Sequence, residues 1–307
     1  MQSINQTFFL TMAVIALGYI MKLTGLVTED DAKSASRIVI NITLPALLLL
    51  TVSRITLEPE LFFLPVVALL VPMMIALVGY RVFSGIPRIE KGIALMASLG
   101  YNVGLFAFPI IEGIFGTDAI IYAAMFDIGN ACIVFGLAYY LGSMHSPHTD
   151  DVRFSMLSLG SSLFRSIPFV CYIIGLALNV LSVELPVFVS GPLEILASSN
   201  RALVLIVLGM MLGFNFERSH WGVIGGIIGL RYGAGLLAGT LFYLFMPFDH
   251  LYRTVLFICM VLPMPLSVIP FSVQFGYDPR LSGTAANLQI IVSFFLIWGF
   301  LLITHTA

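Results

Sequence analysis

Asn102-Val-Gly-Leu-Phe-Ala-Phe-Pro109, followed by Phe115-Gly-Thr-Asp118, has a second copy in Pro263-Met-Pro-Leu-Ser-Val-Ile-Pro270, followed by Phe275-Gly-Tyr-Asp278. In each copy a long apolar segment is interrupted by Asn or Pro, then by Pro, and Phe-Gly-x-Asp comes soon after. Phe115 and Phe275 lie 160 positions apart, about half of the 307-residue chain. Pro109 and Pro270 each remove a backbone donor and crowd the preceding turn. Gly104 weakens the helix ahead of Pro109, and Pro263, Pro265 and Pro270 together rule against an unbroken helix. A helix broken inside lipid leaves backbone groups unpaired, which must find protein, a water-lined cavity or a ligand. A single such kink is ordinary in membrane helices. A matched pair, one in each half, points to the binding site of a secondary transporter.

The rest of the chain fits a membrane setting. It is 59% hydrophobic and 10% charged, with a mean hydropathy of +1.04. Long apolar runs recur from end to end, as in a polytopic helical membrane protein. The runs are continuous rather than alternating, which argues against a β-barrel. The net charge of −2 and the absence of a basic cluster give no sign of nucleic acid binding. Cys132, Cys171 and Cys259 sit singly in apolar surroundings and read as small buried hydrophobes. The opening Met1-Gln-Ser-Ile-Asn-Gln lacks a basic n-region, so the first apolar run reads as a retained helix.

Ten spans are expected, near 7–26, 33–53, 60–83, 89–113, 118–142, 164–182, 192–214, 222–246, 254–275 and 281–304. The polar stretch Ser143 to Arg153, with His145, His148, Asp150 and Asp151, divides them into two five-helix halves, 1–143 and 154–307. Thr28-Glu-Asp-Asp31 reads as a capping box opening the second span. With the N-terminus outside, the inner loops collect Lys22, Lys33, Arg37, Arg81, Arg88, Lys91, Arg153, Arg165, Arg218 and Arg280. The outer loops hold Arg54 and Arg253. This bias places both termini on the non-cytoplasmic side, of a bacterial inner membrane on this reading. An odd number of helices per half makes the second half an inverted repeat of the first, with a site at their interface near the membrane midplane.

Asp127 is the sharpest single residue, lying well inside the fifth span. A charged, unpaired carboxylate there costs roughly 3 kcal/mol. It must therefore sit in a wet cavity, be paired or be protonated. That makes it a candidate proton carrier, with a structural carboxyl as the plainer reading. Asn130 shares its helix face. The Phe-Gly-x-Asp register sets Asn287 opposite Asp127, with Gln289 close by, which suggests one titrating site. Arg201 in the seventh span cannot lose its charge, so it must snorkel, pair with an acid such as Glu194, or bind an anion. Arg231 reads as weaker evidence, near the start of a long span, and Glu112 as a rim residue. Asn41-Ile-Thr-Leu-Pro45 marks another interruption, where Asn41 and Thr43 either bond carbonyls freed by Pro45 or meet a ligand. The glycines of the eighth span (Gly222, Gly225, Gly226, Gly229, Gly233, Gly235 and Gly239) read as helix packing. The histidines suggest no metal site, and no Walker, His-Glu-x-x-His or Ser-His-Asp arrangement supports an enzyme or a cofactor.

In order and spacing these motifs resemble the auxin efflux carrier family, including its bacterial permease-type members. The matching residues are Asn41 to Pro45 with the apolar run after it, Asn102-x-Gly104 leading to Pro109, and Phe115-Gly-Thr-Asp118. They continue with Asp127 to Asn130, Leu208-Gly-Met-Met-Leu-Gly213 and Phe275-Gly-Tyr-Asp278. Ala107 stands where Gly is expected, and Arg201 is less typical. The resemblance implies a fold shared in outline with bile-acid symporters and sodium–proton antiporters. A scaffold domain would hold spans 1, 2, 6 and 7, and a transport domain spans 3–5 and 8–10, with the fourth and ninth crossing at their breaks. It further implies organic-anion substrates, auxins in plants and malate- or malonate-like acids in bacteria.

The resulting expectation is an all-α carrier that moves a small organic anion by alternating access. The anion would meet Asn102, Gly104, Pro109, Pro263, Pro265 and Pro270 at the crossing, with Asn287, Arg201 and Asn41 nearby. Asp127, Asn130 and Gln289 would serve ion coupling, to a proton or, in the bile-acid-type alternative, to sodium. A homodimer through the scaffold is expected. The reading from another class is a membrane sensor that binds a ligand without translocating it, whose sign would be an appended signalling domain.

Overall fold

A computed structural model describes residues 4–147, 156–213 and 220–306. His148, Asp150, Asp151, Arg153 and Arg218 lie outside the described residues. Among those described, all regular structure is helical. Helix α1 spans Ile4–Leu23, α2 Glu29–Ile38 and α3 Leu44–Arg54. They are followed by α4 Phe63–Val82, α5 Arg88–Ser98, α6 Phe108–Phe115, α7 Ile120–Cys132 and α8 Tyr139–His145. The second half holds α9 Met156–Arg165, α10 Ile167–Val180, α11 Val187–Met211, α12 Trp221–Phe245, α13 His250–Met260, α14 Val268–Gln274 and α15 Pro279–Thr306.

Helices occupy all ten stretches read as spans. Seven are long and apolar enough to cross a membrane, or eight if the pair bent by 48° between Ser98 and Val103 counts as one. The two shorter apolar helices, Ile167–Val180 and His250–Met260, fall in the sixth and ninth stretches.

Local sequence explains the ends. Thr28 caps α2 as expected: its hydroxyl accepts from the Asp31 N–H, and the Asp31 side chain accepts from the Thr28 N–H. The Asn41–Pro45 interruption is absorbed rather than broken. Val39–Thr43 widens into one π turn, and Leu44 N–H bonds to the Val39 carbonyl five residues back. Asn41 bonds the Arg37 carbonyl at 2.7 Å and is exposed. Thr43 bonds Asn200 at 2.8 Å. Their role here is structural.

The two Phe-Gly-x-Asp motifs are helix punctuation. Gly116 and Gly276 adopt φ of 84° and 72°, a region open to glycine, just beyond the ends of α6 and α14. Asp278 then opens α15, its carboxylate accepting from the Arg280 N–H at 2.9 Å.

Helix α11 is flanked by α1 and α3, and α3 also packs on α10. Helix α7 lies against α4, and α12 against α13 and α5. The closest approach is backbone to backbone. A Cβ on Gly18 would strike the Ile206 carbonyl, and one on Gly209 the Ile15 carbonyl, so these glycines set the α1–α11 distance. The eighth-span glycines divide. Gly226, Gly235 and Gly239 meet neighbours, but Gly222, Gly225, Gly229 and Gly233 have nothing within 4 Å. The sequence reading of all seven as packing residues is corrected accordingly, because only one face of α12 is covered.

Gly209→Val should therefore destabilise the protein by about 2 kcal/mol through overpacking, while Gly229→Ala should leave stability unchanged. Thermal unfolding in detergent measures both.

Candidate functional site

The two interruptions meet. The fourth span breaks at 99–102, between α5 and a π turn Val103–Ala107 that runs into α6. The break lies ahead of Pro109, which sits buried in α6 directly behind the π turn that runs into it. Gly100 makes the turn with φ of 68°, its α-carbon facing Val134 and Pro265. The ninth span breaks at 261–267, between α13 and α14. Pro263 and Pro265 are buried in this break. Pro270 is not: it lies exposed in the first turn of α14, a correction to its place at the crossing. The breaks are joined directly, Asn102 N–H donating to the Pro263 carbonyl at 2.9 Å.

Side chains from later helices satisfy the freed backbone. Asn130 donates to the Tyr101 carbonyl and accepts from the Tyr101 N–H, both at 2.8 Å, much as a β-strand neighbour would. Gln289 plays the matching part in the second half, its Oε1 accepting from the Met264 N–H at 2.8 Å and its Nε2 donating to the Ala97 carbonyl at 3.4 Å.

Arg231 completes the junction. Its guanidinium donates to the carbonyls of Ser98 (3.1 Å), Gly100 (2.5 Å), Leu262 (3.0 Å) and Pro263 (3.1 Å), so it bonds both breaks at once. It lies over the Tyr101 ring, 4.7 Å from the centroid. It is 1% exposed, and no acid forms an ion pair with it among the described residues. Its reading as a residue near the cytoplasmic edge is overturned. The signal was its depth, the tenth residue of the eighth span, outweighed in the sequence reading by the length of that span.

Asn102 accepts from the Leu105 N–H through Oδ1 at 3.3 Å, but its Nδ2 is buried with no acceptor. Asp127 is half-buried. One carboxylate oxygen accepts from Asn130 Nδ2 and the other from the Tyr172 hydroxyl, both at 2.8 Å. Asn287, expected opposite Asp127, instead lies by Gly213 at the end of α11. Gly104 packs on Leu44. Glu194 pairs with Arg54 at 2.7 Å rather than with Arg201. The Arg201 guanidinium lies across Gly113, and its charge acts on Glu112. Glu112 Oε2 is buried without a hydrogen bond.

A cavity of about 650 Å³ opens between α3 and α11 on one side and α6 and α7 on the other. Leu47, Ile121 and Ala197 line its apolar wall, with Glu112, Glu194 and Arg54 among the charged groups. None of the residues expected to contact substrate lines it, because the crossing beneath is packed and internally bonded. Among the described residues, no group of three or more His, Cys, Asp or Glu is placed to hold a metal ion.

This pair of joined breaks in an all-helical membrane chain agrees with comparison to known proteins. A family model described as membrane transport protein matches residues 3–301. The chain belongs to this family, the auxin efflux carriers. Among its relatives is an uncharacterised transporter of Methanocaldococcus jannaschii, 24% identical over 306 residues, 96% of this chain and 97% of that one. Another is an uncharacterised transporter of Methanothermobacter thermautotrophicus, 25% identical over 220 residues, 70% of each chain. The chain is thus a membrane transport protein rather than an enzyme.

Arg231→Met would take the guanidinium from the Ser98, Gly100 and Leu262 carbonyls, while the Pro263 carbonyl keeps the Asn102 N–H. Each unsatisfied group costs on the order of 1–3 kcal/mol, so the variant should lose about 3 kcal/mol or more of stability and exchange backbone hydrogens faster at 98–104 and 260–265. Thermal unfolding and hydrogen–deuterium exchange check this.

Proposed function

We propose that this membrane transporter carries a small organic anion by alternating access, coupled to a proton through Asp127. The observation that carries the reading is the electropositive crossing. Arg231 brings a charge that cannot be shed and that no carboxylate pairs among the described residues. Asn102, 5% exposed, holds an unused buried donor beside it. A buried donor without an acceptor and a lone buried cation are both costly. A carboxylate reaching the crossing offsets both.

The wider architecture in this proposal is ten spans in two inverted halves, with both termini non-cytoplasmic. Support comes from one broken segment per half, from the matched bonding of Asn130 and Gln289, and from the Lys and Arg bias of the loops. On this topology the cavity bordered by Arg54, Glu58 and Asp118 is an outward-facing vestibule. Helices α1–α3 and α9–α11 form the scaffold, and α4–α8 with α12–α15 the moving part. Shifting one set against the other opens the closed crossing to the vestibule.

Sodium coupling is the weaker alternative. It draws on the break carbonyls, Asn130, Gln289 and Asp127. The Ser98, Gly100, Leu262 and Pro263 carbonyls already accept from Arg231, and the side-chain oxygens of Asn130 and Gln289 accept from backbone N–H groups.

Proteoliposome uptake of labelled malonate, as a representative small organic acid, tests the reading. An inward proton gradient should drive uptake, and Asp127→Asn should abolish that component with folding intact. Unchanged pH-dependent uptake in this variant removes Asp127 from coupling, and a strict sodium requirement restores the alternative.

Asn102→Asp keeps an oxygen to cap Leu105 but replaces the free donor with a negative charge. Anion affinity should fall about tenfold or more, the equivalent of about 1.4 kcal/mol. Equal affinity in thermal-shift titrations would move the binding site away from the crossing.

A further inference from the structure

The polar bonding of this protein is unevenly distributed. Within the set α1–α3 and α9–α11, Thr43 bonds Asn200, Arg54 pairs with Glu194, and Asn179 Nδ2 donates to the carbonyls of Val52, Ser53 and Ile55. Within the other set, Arg231, Asn130 and Gln289 bind the breaks together. Between the sets the polar links are sparse. Trp298 reaches Asn5 at 3.2 Å on the exposed edge. In the interior, the Tyr172 hydroxyl on α10 donates to Asp127 on α7 at 2.8 Å.

Tyr172 is 2% exposed. Asp127 is also the acceptor for Asn130, which holds the Tyr101 backbone, and the next residue's N–H bonds Pro263. A line of hydrogen bonds thus runs from α10 through Asp127 to both breaks. Resting on the proton-coupled reading above, we infer that Tyr172 is a positioning residue: it latches α10 to the ionised Asp127, and protonation of Asp127 releases the latch.

The reason is donor and acceptor matching. Ionised Asp127 offers only acceptors, and both facing groups donate to it. A proton on the oxygen facing Tyr172 sets one O–H against another. If the bond reverses, the Tyr172 hydrogen loses its acceptor in a buried site. Of the other titratable groups near this pair, Cys259 on α13 and Cys171 on α10 act on Tyr172, and Asp127 acts on Cys259. No cation forms an ion pair with Asp127 among the described residues. The change of state therefore rests on the carboxyl proton and on the Tyr172 hydroxyl.

Hydrogen–deuterium exchange of the full-length protein, with Tyr172→Phe and wild type compared at matched pH, tests this without a substrate. At alkaline pH the variant should exchange about tenfold faster than wild type in 120–132 and 167–180, the effect of losing a bond to a charged group. As pH falls and wild-type Asp127 takes up its proton, the difference should close. Asp127→Asn, which retains the side-chain shape, should match Tyr172→Phe at every pH, and the double variant should add nothing. A difference that stays constant with pH, or no difference at alkaline pH, overturns the latch. Malonate counterflow in the same preparations is a separate arm. Absence of counterflow in wild type counts against the anion reading, while the exchange data still decide the latch.

Discussion

A helix interrupted inside a bilayer leaves N–H and C=O groups where no water can reach them, and the arrangement of this protein follows from how those groups are paired. Two interruptions placed side by side solve part of the problem, since Asn102 N–H reaches the Pro263 carbonyl across the gap. The remainder falls to three side chains from helices that pass the crossing. Asn130 and Gln289 carry both a donor and an acceptor: Asn130 bonds both backbone groups of Tyr101, and Gln289 bridges the Met264 N–H and the Ala97 carbonyl. Arg231 carries a planar fork of donors and can hold four carbonyls at once, which a lysine's compact ammonium could not do with the same geometry.

That solution has an electrostatic consequence. Carbonyl dipoles moderate the guanidinium charge, and no carboxylate pairs with it among the described residues. Asn102 adds an idle donor. The carbonyls of the crossing are thus occupied. Asp127 stands at one remove, bound to the crossing through Asn130 and to α10 through Tyr172. A carboxylate so placed is tied mechanically to the junction rather than to the solute. The cavity, by contrast, ends above the packed crossing, along the seam between α3 and α11 and α6 and α7. Polar links across that seam are few among the described residues.

The local devices were readable in advance because they depend on neighbours in sequence. The capping box at Thr28 to Asp31 is one, closing through side chains three residues apart. The breaks are another, dictated by Gly and Pro chemistry. Their limits were less legible. Pro109 and Pro270 looked like the points of rupture, but Pro109 is carried in a helical run behind a π turn and Pro270 sits in the first turn of α14. The interruptions moved to Gly100 and to Pro263–Pro265 instead. Asn41 read as either a backbone partner or a ligand contact; one π turn absorbed the irregularity, and its exposed side chain bonds the Arg37 carbonyl.

What the sequence determined by itself was the solvent and the breakage. Hydropathy decides that the chain lies in lipid, and Gly and Pro at matched places in both halves decide that two helices cannot run through. These properties belong to single residues and their near neighbours. Which groups answer the broken backbone was decided only in three dimensions. The Arg231 guanidinium is more than 130 positions from the Ser98 and Gly100 carbonyls that it holds, and Tyr172 is 45 from Asp127. No local pattern specifies such pairings, because they arise where helices distant in the chain are packed against one another. The same packing set Asn287 beside Gly213 and left Glu112 facing Arg201. Charge and depth mark a residue as expensive, but only the fold says what compensates it.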